Sequence, residues 1–197
     1  MSVAVRTLLG TVVEAWGKGT GMSVQFYWRR APAEVVAAST TAELERMVEC
    51  WDEPPEVWAA GLAMGVDFHG ELMDRVLREC HAGTPEQAET AGLAVFGGEM
   101  RRSSWITPDN EVEEYEAVTL LTPTEVFAVA GVLGRTDHAA WLAGNPRRAA
   151  ELVRSVGHSR SWDTEWEKSL VDDLDALGDF YRAAAGAGES MVKRICG

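Results

Sequence analysis

Residue type and spacing invite chemistry at a few places in this 197-residue chain: its four histidines, its three cysteines and one stretch where acids flank a histidine. In "VDFHGEL", Asp67, His69 and Glu71 lie close enough to offer two carboxylates and an imidazole to a ligand, or to pass a proton. That use requires burial or a neighbouring charge to tune the groups, and acids four residues apart equally suit a solvated helix face. His69, His81, His138 and His158 form no His-x-x-x-His pair, and Cys50, Cys80 and Cys196 form no Cys-x-x-Cys pair, so no metal site is expected. Cys80 and His81 adjoin near a helix end, where neighbours point about 100° apart, which is wrong for a nucleophile and its base.

Other catalytic routes are absent as motifs. No serine sits in a Gly-x-Ser-x-Gly elbow, and no Gly-x-Gly-x-x-Gly follows a strand. "GKGTG" at residues 17–21 lacks the spacing and the preceding strand of a phosphate loop. No cofactor is expected.

Two further features could bind. The chain has eight tryptophans, and aromatics dominate binding hot spots. Trp162 and Trp166 read as core, whereas Trp105 beside Ser103-Ser104 and Trp51 before "DEPP" read as exposed. Acids crowd residues 109–116 and 163–179; a solvated surface is their ordinary role, and steering a basic protein partner through Glu111, Glu113 and Glu114 is the functional alternative.

The formal charge of −13 repels nucleic acid and anionic lipid. Three arginine doublets are scattered and lack interleaved aromatics. No apolar run approaches the roughly 18 residues that span a bilayer, and "TLLGTVV" lacks the features of a signal peptide. The odd cysteine count fits reduced thiols, so the expected compartment is the cytoplasm.

The elements that must position these residues follow from periodicity. Residues 3–16 carry an apolar stripe and read as an amphipathic helix, joined by the 17–21 linker to the rest; residues 1–20 thus form an N-terminal extension to a domain over 21–197. "MSVQFYW" alternates like a half-buried strand with Val24, Phe26 and Trp28 on one face. Short helices are predicted after Pro32 and Thr41, and a further one is predicted after Pro54-Pro55, running through Val57, Trp58, Gly61, Leu62 and Met64. Another covers 68–80, with Leu72, Val76 and Cys80 in step. "LAVFGG" at Leu93 reads equally as a buried strand or a tight packing segment, and residues 101–116 as an exposed loop or edge.

Leu120 to Val126, "LLTPTEV", spells a strand-to-helix junction: Thr122 caps, Pro123 opens the helix, and Glu125 reaches back to complete a capping box. Asp137 caps a short helix containing Trp141, and Asn145-Pro146 opens another. The last helix carries Trp162, Trp166, Leu170, Leu174, Leu177 and Tyr181 on one stripe with acids opposite, and "MVKRIC" follows as a strand. Many helices with three or four short strands, without βαβ alternation, predict an α+β fold: a helix-rich single domain on a small sheet.

"GMSVQFYW", "LLTPTEV" and "FYRAAAGAGESMVKRICG" stand in the order in which the YfbM-like family, a bacterial group of unknown function, carries an aromatic strand, a capped junction and a final helix-to-strand exit. The chain resembles that family over about residues 21–197. Members commonly begin near the equivalent of Met22, and "VDFHGEL" keeps Asp67 where the family has an Asp-containing stretch with a tryptophan, here replaced by Leu72. The resemblance supplies no catalytic residues.

The first functional expectation is a binding protein, monomer or homodimer, whose acidic face meets a basic protein partner, an immunity-like role being one instance. The alternative is an enzyme or small-molecule binder with a Trp-lined cleft and Asp67, His69 and Glu71 as polar contacts. Convergence of polar groups in a concavity favours the second; a flat acidic face favours the first.

Overall fold

The computed structural model describes residues 24–48, 54–67, 69–107, 109–157 and 161–196. The N-terminal extension, Met22, Cys50, Trp51, His158 and the side chain of Trp105 lie outside that description.

Alternation along the first strand, β1 (Gln25–Ala31), buries side chains on both of its faces: Phe26 and Trp28 on one, Tyr27 and Ala31 on the other. A strand so buried must lie inside a sheet with cover on both sides. β1 pairs antiparallel with β2 (Ala63–Asp67) and with β5 (Ser190–Cys196), which pairs in turn with β4 (Val112–Leu121), and β4 with β3 (Glu99–Ile106). The order is β2-β1-β5-β4-β3, so the last segment of the chain lies at the centre of the sheet.

Nine helices are found among the described residues: α1 (Ala33–Ala38), α2 (Thr41–Met47), α3 (Pro55–Ala59), α4 (Gly70–Cys80), α5 (Pro85–Gly92), α6 (Pro123–Leu133), α7 (His138–Gly144), α8 (Pro146–Ser155) and α9 (Thr164–Ala187). The fold is α+β as expected, but the sheet has five strands where three or four were predicted. Two strands lie in segments not read as strands: β3, in the polar stretch expected to be an exposed loop or edge, and β2, in the segment after Pro54-Pro55, expected to be helical throughout. Only α3 is helical there; Gly61, at φ +63°, turns the chain, and Met64 lies on β2 opposite Trp28. The polar segment 101–116 forms most of the β3–β4 hairpin.

One face of the sheet buries Phe26, Trp28, Val66 and Met191 against Leu72 and Val76 of α4, Val129 of α6 and Leu170, Leu174 and Leu177 of α9. The other packs Tyr27, Leu120 and Val192 against Val36 of α1 and Leu44 of α2. The Thr122 capping box forms as predicted, with the Thr122 N–H donating to Glu125 Oε2 at 2.8 Å.

The segment at Leu93 is the tight packing segment and not a strand, with Ala94 and Val95 buried in the core. It is a turn whose carbonyls are collected by buried donors: Trp28 Nε1 and Tyr181 Oη donate to Ala94 O at 2.8 and 2.9 Å, and Lys193 Nζ donates to Leu93 O and Gly97 O at 2.5 and 2.6 Å. Burial lowers the Lys193 pKa to about 7. Cys80 is a free thiol, whereas Cys196 is disulfide-bonded, so the expectation of reduced thiols fails at Cys196 and the inference of a reducing compartment loses that premise. No helix among the described residues is long and apolar enough to cross a membrane.

Candidate functional site

The two edges of the sheet carry the two sets of candidate residues. At the β2 edge, a concavity of about 530 Å³ is walled by Tyr27, Trp58 and Gly65 and by Asp67, His69 and Asp173. Its residues come from β1, α3, β2, the start of α4 and the middle of α9.

Local geometry explains how each is held. Two glycines permit close approaches. At Gly65 a Cβ would stand 3.0 Å from the Tyr27 ring and 3.2 Å from Trp58, so the bare backbone there lets the two rings meet edge to face, centroids 6.3 Å apart. Gly70, the first residue of α4, lets that helix press on β1: a Cβ would sit 2.3 Å from Phe26 Cγ. His69 just before it occupies the N-cap position without any side-chain capping bond, so its imidazole is free for a tertiary contact. Its Nδ1 lies 2.6 Å from Oδ2 of Asp173 on α9, and its ring leans on Trp166 with centroids 5.2 Å apart. Trp166 is itself met edge to face by Trp162.

With Nδ1 held by a carboxylate, only Nε2 remains to exchange a proton or a hydrogen bond, the orientation logic of a histidine base. Asp67, at the end of β2, is exposed, and its carbonyl accepts a 2.7 Å bond from the His69 N–H. The Tyr27 hydroxyl donates to Gln25 Oε1, so that side-chain oxygen, which also lines the concavity, is engaged within β1.

Of the predicted trio, the structure thus brings Asp67 and His69 together. It turns Glu71 away, to a 2.7 Å ion pair with Arg75 one turn along α4. Sequence reasoning missed Trp58, Tyr27, Ser169 and Asp173. Asp173 carried a usable signal: it lies three residues after Leu170 and seven after Trp166, on the flank of the buried stripe of α9, where a carboxylate needs a partner. Nothing local in the sequence names that partner, 104 residues away.

The other described histidines, His81 and His138, do not converge on this site. His81 Nε2 meets Thr136 Oγ1 at 2.8 Å, and its Nδ1 lies 3.2 Å from Gln87 Oε1. His138 is buried, with Nδ1 unpartnered, and its pKa is lowered chiefly by that burial. No group of three or more metal-capable side chains gathers among the described residues.

At the opposite edge, β4 pairs with β5 only over Thr119–Leu121, so the rest of the β3–β4 hairpin projects as a two-stranded ribbon. Its tip turns through Asn110 at φ +63° and exposes Ile106 and Val112, which pair across the strands. Glu111, Glu113 and Glu114 are exposed, which a solvated surface and a partner-steering surface both require. They do not share one face: Glu113 and Glu114 are successive strand residues and point to opposite sides. Glu114 lies 3.6 Å from Arg102, with both side chains more than half exposed, and lines a smaller hollow of about 380 Å³ with Thr40 and Thr41. Trp105 is the register partner of Glu113.

No protein-family profile matches the chain, and no curated protein sequence does. Among solved structures, the chain is similar to the crystal structure of YfbM from Escherichia coli, a protein of unknown function. The TM-score is 0.55 at 13% identity, covering 87% of this chain and 99% of that one. At that identity the likeness shows a shared fold, in agreement with the resemblance read from the three motifs, and assigns no activity.

Proposed function

We propose that this chain is a binding protein of the YfbM-like family whose ligand enters the concavity at the β2 edge. The observation that carries the reading is the convergence of Asp67 and the His69–Asp173 pair beside the Tyr27–Trp58 wall in one hollow of about 530 Å³. Binding sites have this character: a concave, partly aromatic wall with a few placed polar groups. The His69 imidazole, oriented by a carboxylate, is suited to hold a donor or acceptor in place. Amide chemical-shift mapping with a panel of small cations, anions and neutral polar molecules tests it. Shifts at Gly65, Asp67 and His69 support the reading; a panel that leaves these residues unmoved refutes it.

A second reading, that the acids of the β3–β4 hairpin engage a basic protein partner in an immunity-like role, is favoured by the exposure of Glu111, Glu113 and Glu114 on a projecting ribbon. Its test is capture of the partner at low salt by the native chain and by a variant reversed at those three acids. Equal capture by both removes the reading.

A further inference from the structure

The charge and shape of the β2-edge concavity select among ligand classes. Nine of the described residues line it; among them two are carboxylates, Asp67 and Asp173, and none is lysine or arginine. The whole chain carries −13, so the long-range field adds to the local one and draws cations to the hollow while repelling anions. The wall is aromatic. Trp58 is 40% exposed, which leaves part of its ring uncovered beside the hollow, and its edge-to-face contact with Tyr27 fixes its position. An indole held next to a carboxylate is the pairing that attracts a charged nitrogen, the ring face by its quadrupole and the acid by charge. Asp173 has one oxygen engaged by His69, whereas Asp67 is exposed and sits at the open end of β2.

We infer that the site takes a guanidinium or primary ammonium group, with Asp67 as its ionic contact and Trp58 as its aromatic one. This rests on the reading that the concavity is the binding site, and adds the chemistry of what fills it. Two sources carry such a group: a small free amine or guanidine, and an arginine or lysine side chain on a protein.

The test is a shift titration of the full chain with four probes: N-acetyl-arginine-N-methylamide, its neutral isostere N-acetyl-citrulline-N-methylamide, agmatine and acetate. The arginine derivative and agmatine should move the Trp58 indole N–H and the Gly65 and Asp67 amides, whereas citrulline and acetate should not. Asp67→Asn and Trp58→Leu, both at exposed positions, should each weaken binding of the cations roughly five-fold. Tighter binding of the peptide-like arginine assigns the source to a protein side chain, and tighter binding of agmatine to a free cation; both outcomes sustain the inference. Equal shifts from citrulline and arginine overturn the cation class, and so do shifts from acetate alone, while the concavity stands as a binding site in either case. Absence of any shift in the concavity with all four probes overturns the class and the site together.

Discussion

The two edges of the sheet solve the same physical problem in opposite ways. A sheet edge leaves backbone donors and acceptors unpaired and must be covered, shortened or charged. At the β2 edge, α3, α4 and α9 close around a five-residue strand, and polar side chains from distant parts of the chain meet in the resulting hollow. The β3 edge is instead a long ribbon with arginines, serines and glutamates spread over its two faces. Convergence thus arises where helices pack over an edge. A run of acids in sequence, however dense, is divided between two faces as soon as it becomes a strand.

That contrast can be broken most forcefully at Gly70. Gly70→Val places carbon atoms inside the Phe26 ring position, and overpacking of this kind costs about 3 kcal/mol or more. Denaturant unfolding should show the loss, and the His69–Asp173 contact should go with it. An equally bulky change in the ribbon, such as Val112→Phe at a 68% exposed position, should leave stability within about 0.5 kcal/mol.

Next in size is the pair itself. Asp173→Asn keeps the shape but removes the charge from a 2.6 Å bond to a largely buried imidazole, an interaction worth about 1 kcal/mol after allowance for its partial exposure. The same measurement on Glu114→Gln, whose pairing with Arg102 is solvent-screened, should register no change.

Acid should weaken the packed side of the sheet before it touches the ribbon. His138 is held neutral by burial in the native state, whereas the unfolded chain protonates near the ordinary value of 6.5. A depressed native pKa means that the unfolded state binds the extra proton first. The His138 contribution is therefore full above pH 6.5 and is lost as the pH falls from there toward the lower native value. Lys193, lowered to about 7, acts in the same direction over the window from 10.5 down to 7. The unfolding midpoint should fall between pH 7 and 5.5 in the native chain, and His138→Gln should flatten that slope.

The smallest effect separates local from global opening. Amides of residues 102–116 should exchange with solvent faster than those of residues 117–121, because only the latter part of β4 reaches the packed sheet.

The sequence was legible where a signal is local. Thr122, Pro123 and Glu125 announce a helix start within four residues, and the Trp166-to-Tyr181 stripe announces a buried helix face; both are found as read. β2 was not legible, because its five residues follow a genuine helical turn and the switch occurs at a single glycine, Gly61. The lysine clamp on the turn at Leu93 escaped because its donors come from β1, α9 and β5. For the site, Asp67 and His69 were visible as a pair of neighbours, but Glu71 was grouped with them by sequence spacing alone and pairs with Arg75 instead. Asp173 showed only its place on the flank of the buried α9 stripe and not its partner, and Trp58 gave no local signal; each acquires its role only when tertiary packing delivers it to the hollow.

Chemical-shift mapping of small polar ligands across both edges at once tests the central claim, that function resides where the distant side chains converge. Shifts are expected at Gly65, Asp67, His69 and the Trp58 indole, with Glu111, Glu113 and Glu114 unmoved. Shifts confined to those three glutamates and their ribbon would contradict it.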